Sequence, residues 1–156
     1  MRNIRIAVQI KKTQDSQGHE ILKATVPMRL MFESDFNAEW VKSESKKSED
    51  KYTNVVNNLK NISKQIKLTR SDDRVLLYWK FGDKTLEFLE QNKKGVLFFD
   101  NIMKLLVRDV GVSDKMFARC KKFRSLYPDI TKIDTKKSFD SYVSTFEGGY
   151  ISSKRK

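Results

Sequence analysis

Cysteine and histidine each occur once in this 156-residue chain, as Cys120 and His19. A lone thiol closes no internal disulfide, so burial and hydrogen bonding must hold the fold, and a reducing, cytoplasmic compartment is expected. One Cys and one His far apart in the chain do not supply the usual ligand set of a zinc site. His19 lies in a turn-like stretch beside Glu20 with no nucleophile near it, which leaves no His-based triad. Phosphate-cradling loops are missing as well, since neither GxxxxGK[ST] nor GxGxxG occurs. The adjacent carboxylates Glu49–Asp50 and Asp72–Asp73 fall at expected helix starts, where negative charge complements the helix dipole. These absences lead us to expect a protein with no enzymatic activity, metal or cofactor.

Long apolar runs are also missing. No stretch approaches the roughly 20 residues needed to span a bilayer. The start, Met1-Arg2-Asn3, runs straight into an alternating pattern, without the roughly 7–15-residue apolar core of a signal peptide. Charged residues make up 33 % of the chain and mean hydropathy is −0.61, so no membrane partner is expected. The two prolines, Pro27 and Pro128, and the six glycines are few enough to read as punctuation.

What the chain does have is positive charge. The net charge is +12 and the pI about 9.8. Residues 1–50 hold 9 Lys or Arg against 8 Asp or Glu, or +1, whereas residues 51–156 hold 23 against 12, or +11. A field of this sign attracts polyanions, because each neutralised phosphate releases condensed counterion. Charge alone does not choose among DNA, RNA and an anionic surface.

The apolar pattern suggests an α+β fold, mainly α with an N-terminal β-hairpin. Ile4, Ile6, Val8 and Ile10 alternate with polar residues, Asp15 to Gly18 mark a turn, and Leu22, Ala24, Val26, Met28 and Leu30 alternate again. Pro27 suggests an edge strand or a strand end. Two strands are marginal alone. The hairpin must therefore cover the helical part or pair with a second copy, which makes it a candidate homodimerisation element. Glu33 to Asp50 reads as a polar connector, in which Phe36 and Trp40 could anchor a helical turn. We place the domain boundary there: 1–50 hairpin and connector, 51–147 helical domain, 148–156 basic mobile tail.

From Lys51 to Leu68, Val55, Val56, Leu59, Ile62 and Ile66 share one helical face. A second helix starts at Asp72 or Asp73, carries Val75, Leu76, Trp79, Leu86 and Leu89 inward, and stops at Lys93-Lys94-Gly95. Gly82 inside it costs up to about 1 kcal/mol relative to Ala, so close approach of another helix is expected there. Val96 to Val110 reads as a third helix. Ile130 to Phe146 suggests one further short helix, or a wing, before Gly148-Gly149 release the tail.

The chain is organised around LLVRDVGVSDKMFARCKKF, Leu105 to Phe123. Leu105, Leu106 and Val110 recur at helical spacing, Gly111 stops the run, Ser113 can cap a new helix, and Met116, Phe117, Cys120 and Phe123 continue the stripe. This is the pattern of a helix-turn-helix, whose second helix enters the major groove of double-stranded DNA. On that helix, Ser113 to Leu126, a basic face of Lys115, Arg119 and Lys122 backs onto Phe117, Cys120 and Phe123. Arg119 suits a bidentate contact with guanine, and the lysines suit phosphates. Lys121, Arg124 and the terminal Lys154, Arg155 and Lys156 complete the candidate DNA-binding set.

The stretch Tyr78 to Ile130 resembles the N-terminal helical module of YhcG-like PD-(D/E)XK nucleases. The matching positions are Tyr78-Trp79, Gly82, Leu106 to Val110 with Asp109, Gly111, Ser113, Arg119, Phe123, Tyr127-Pro128 and Ile130. Asp114 and Lys115 also agree, whereas Met116 stands where the family usually has Asn. The family's catalytic half would follow this module, and the chain ends soon after it. The resemblance therefore implies a DNA-binding module without nuclease activity, and the function we expect is that of a transcription regulator or a mobile-element or plasmid accessory factor. The alternative expectation is a protein-interaction adaptor with a basic surface, for which the Phe98-Phe99 pair would be an exposed anchor if it is not part of the core.

Overall fold

A computed structural model of the chain describes residues 6–26, 38–95 and 97–154, with residues 38 and 148–154 as backbone only. The N-terminal alternation forms β1 (Ile6–Gln14), which pairs antiparallel with β2 (Glu20–Thr25) in the register Ile10 to Ala24 and Gln14 to Glu20. Between them the Asp15 carboxylate accepts the Gln17 and His19 amides, and Gly18 takes the left-handed conformation at φ 82°. The apolar face of β1, Ile6, Val8 and Ile10, is buried. The chain's own helices cover it: Val8 and Ile10 belong to one cluster with Tyr52, Phe88, Phe117 and Phe123. Ile4, Pro27, Met28, Leu30 and Phe36 lie outside the described residues.

The sheet has a third strand that the pattern did not reveal. Leu97–Phe99 forms β3, parallel to β1, giving the order β2-β1-β3. The helix expected from Val96 therefore begins only at Ile102, as α3 (Ile102–Val110). The apolar run Val96 to Phe99 after Gly95 satisfies a helical period and a short buried strand equally well, and the unpaired edge of β1 decides between them. Asn92 secures the choice, because its Oδ1 accepts the Phe99 amide at 2.6 Å and its Nδ2 donates to the Phe99 carbonyl at 3.1 Å. Phe99 is consequently core, tilted against Tyr52 and Phe88, and is not an exposed anchor.

The expected polar connector is helical in its described part. α1 runs from Ala38 to Leu68, so residue 50 lies inside a helix and is no boundary. The run Ser43 to Asp50 carries opposite charges at helical spacing: Lys46 reaches Glu49 (3.1 Å) and Asp50 (3.3 Å), and Lys47 reaches Glu44 (3.2 Å). Val41 is buried, and Glu49 accepts the outward amide of Ala24 at 2.9 Å. The hairpin and the helices thus share one core.

α2 (Arg74–Lys94) buries Val75, Trp79, Phe81, Gly82, Thr85 and Phe88, while Leu76, Leu86 and Leu89 stay half-buried. Its inward face is therefore rotated from the leucine face expected. After α3 come α4 (Asp114–Leu126), a 3-10 turn (Ile130–Lys132) and α5 (Phe139–Lys154). Among the described residues no strand follows α4, so the element packed behind it is a helix and not a wing. The α5 backbone continues through Gly148 and Gly149 to Lys154, where a mobile tail was expected. The fold is α+β, mainly helical with a small three-stranded sheet, and no described helix is long and apolar enough to cross a membrane.

Candidate functional site

The turn between α3 and α4 is built by the residues the pattern singled out. Gly111 closes α3 in the left-handed conformation, φ 77°, and its amide donates to the Val107 carbonyl at 3.1 Å. Ser113 is extended and its hydroxyl accepts the Met116 amide at 3.2 Å, capping α4. Behind α4, Phe117, Cys120 and Phe123 are buried. Burial pushes the Cys120 thiol up to about 12, so it stays neutral and behaves as a small apolar group.

Gly82 sits at a close crossing of α2 and α4. A Cβ there would lie 2.1 Å from the Cys120 carbonyl oxygen, so α2 and α4 touch backbone to backbone, as the helix-interior glycine suggested. Trp79 Nε1 donates to the Tyr127 carbonyl at 2.6 Å and ties the end of α4 to α2. Tyr127, Phe139 and Tyr142 pack around Phe123 at centroid distances of 4.9–5.5 Å and close the far side.

The basic residues of α4 divide into two sets. Lys115 and Lys122 are exposed and form an outward stripe with Ala118, Ser125 and Leu126, the last 47 % exposed. Ser113 is exposed at its head, and Lys121 is half-buried beside it. The arginines are engaged elsewhere. Arg119 makes a two-pronged pair with Glu147 of α5, at 3.1 and 3.2 Å. Arg124 bonds Asp83 of α2 at 2.8 Å and lies 5.2 Å from the Trp79 ring centroid. The bond from Arg119 holds the Glu147 carboxyl below its ordinary value, with Lys115 adding to the effect, and the Arg119 guanidinium is raised in turn. Arg119, expected to read a base edge, is thus engaged by Glu147 through Nε and Nη2. Lys154 ends the α5 backbone, and Arg155 and Lys156 lie outside the described residues.

Glu147 and Asp83 escaped the sequence reading because they stand 28 and 41 positions from their partners. No local period links residues so far apart. Asp109, a position named in the resemblance, is a buried carboxylate whose side chain is 1 % exposed, and two of its three partners come from distant elements. Tyr52 of α1 donates to it, Arg108 donates through Nε and Nη2 at 2.7 and 2.9 Å, and Lys12 of β1 lies 3.5 Å away. Burial pushes this carboxyl up, but Arg108, Tyr52 and Lys12 outweigh it and hold it below its ordinary value. Burial and the Asp109 bond together raise the Tyr52 hydroxyl. His19 sits exposed in the hairpin turn, with Nδ1 3.3 Å from Asp15. Among the described residues, no group of three or more His, Cys, Asp or Glu gathers around a point that could hold a metal.

The arrangement can present a capped, cationic helix on a rigid support. Comparison with family models, with curated proteins and with solved structures gives no match to this chain.

Proposed function

We propose that the chain is a non-enzymatic protein that binds double-stranded DNA through a helix-turn-helix formed by α3, Gly111–Ser113 and α4. The single observation that carries this reading is the outward stripe of α4: Lys115 and Lys122 lie exposed on a helix capped by Ser113 and held from behind by Phe117, Cys120 and Phe123. A net charge of +12 supplies the field for a polyanion. The resemblance of Tyr78 to Ile130 to the YhcG-like helical module supports the same reading. Lys115 and Lys122 contact phosphates, which positions the helix, and Arg119 reaches a base edge only after leaving Glu147.

Binding of the full chain to duplexes drawn from a random pool, measured across salt concentrations, tests the reading. The double variant Lys115→Gln/Lys122→Gln should weaken all duplexes alike and flatten the salt dependence by about two phosphates' worth of counterion release. An unchanged salt slope in the variant rejects the stripe as the contact. Wild-type affinity no tighter than about 10⁻⁴ M at physiological salt rejects DNA as the partner and favours the adaptor reading.

A further inference from the structure

Beneath the turn a groove of about 320 Å³ opens between the end of α1, the start of α2 and the first turns of α4. Ile66, Tyr78, Phe81, Met116 and Cys120 make it largely apolar. Its charged lining is of one sign: Lys67 and Arg74 border it, and no acidic residue does. Both cations are exposed, and neither makes an ion pair with a carboxylate among the described residues. Arg74 rests 5.9 Å from the Tyr78 ring centroid and also interacts with the Tyr78 hydroxyl, and its five N–H donors exceed those contacts. Asp72 and Asp140 line a separate cavity that shares Arg74 and Tyr78, and the groove itself keeps only positive charge. A concave, mainly apolar site with a few convergent polar groups is the usual form of a small-molecule site.

We propose that this groove binds a small amphiphile with an apolar body and one anionic head, a carboxylate or a phosphate, held by Lys67 and Arg74. The body lies against the half-buried Ile66, Tyr78 and Met116, over a floor that Phe81 and Cys120 back from within the core, and the head meets the two cations at the rim. A neutral ligand of the same shape keeps the apolar contact and loses the charge pairing. The proposal does not rest on the DNA-binding reading, because its test contains no nucleic acid.

The test uses the full chain with its methionine methyl groups labelled for NMR, the Met116 signal being assigned with Met116→Leu. Octanoate, octyl phosphate and octan-1-ol are the probes. The anions should move the Met116 signal and bind roughly three- to tenfold tighter than the alcohol, the gain expected of two partly exposed ion pairs. Tighter binding of octyl phosphate assigns a phosphate head, and tighter binding of octanoate a carboxylate. The variant Lys67→Gln/Arg74→Gln should lose the preference while keeping its affinity for octan-1-ol and its thermal midpoint. A Met116 signal unmoved by either anion, equal affinity for anion and alcohol, or a preference that survives in the double variant overturns the proposal.

Discussion

Two glycines use a missing side chain in opposite ways. At Gly111 a Cβ would meet nothing within 4 Å, yet φ is 77°, so Ala is opposed by backbone strain alone. At Gly82 the backbone is helical and Ala would gain up to about 1 kcal/mol in propensity, but its Cβ would sit 2.1 Å from the Cys120 carbonyl. Neither partner at that contact is a flexible side chain, so the steric cost wins. Gly111→Ala should therefore lose about 1–2 kcal/mol with α2 and α4 still in place. Gly82→Ala should lose about 1–3 kcal/mol and separate the two helices. Urea midpoints check both, and a stabilised Gly82→Ala would show that the helices do not touch there. Asp109 gives the residue-scale pH dependence. Its folded carboxyl titrates below the ordinary value of 3.8, so its contribution is present above that value and is lost as pH falls through the folded one. Asp109→Asn should cost about 1–3 kcal/mol near neutral pH, with the gap to wild type closing on acidification below about pH 4. Denaturation midpoints measured from neutral to acid pH check it, and a gap independent of pH would assign the cost to shape instead of charge.

Among the elements, the sheet and α4 are each held by side chains reaching from a neighbouring helix. Glu49 of α1 takes the outward amide of β2, and Asn92 of α2 takes the amide and carbonyl of β3, so helix side chains satisfy backbone groups on both edges of the sheet. Pairing of two hairpins edge to edge would have to displace the Glu49 bond. α4 is held likewise, by Asp83 from α2 and Glu147 from α5. Glu147 competes with any anion for Arg119, which ties the position of α5 to the chemistry of α4. On the DNA-binding reading, Glu147→Gln should raise affinity about three- to tenfold by freeing the guanidinium and removing one negative charge. Equal DNA affinity in wild type and variant would mean that Arg119 takes no part in binding.

For the whole molecule, one apolar cluster joins β1 to α1, α2, α3, α4 and α5. A separable hairpin would leave the helices with their own core, and this one does not: Val8 and Ile10 complete the cluster that holds Tyr52, Phe88 and Phe99. The full chain should melt in a single cooperative thermal transition, and deleting residues 1–26 should abolish it while leaving much of the helical circular dichroism, because exposed aromatic surface of this kind leaves helices without fixed packing. A sharp transition in the truncated chain would show that the helical part folds alone. The charge is unevenly spread over the molecule, since most of the excess lies after residue 50.

The amino-acid sequence by itself determined what depends on neighbours a few positions away. The 3.6-residue period of the helices, the stop at Gly111, the Ser113 cap and the tight spot at Gly82 all show in local spacing, because residue type there answers to backbone conformation or to a single contact. The charge pairs of Ser43 to Asp50 also stand at i,i+3 and i,i+4, but the low hydropathy of the stretch makes it read as a connector and its helix is missed. Tertiary structure alone decided that Leu97–Phe99 is a strand, since three apolar residues suit either state and only the free edge of β1 selects one. It also decided that Arg119 and Arg124 are already paired. A guanidinium's availability depends on which carboxylate the fold brings within about 3 Å, and the acids that claim these two come from other helices.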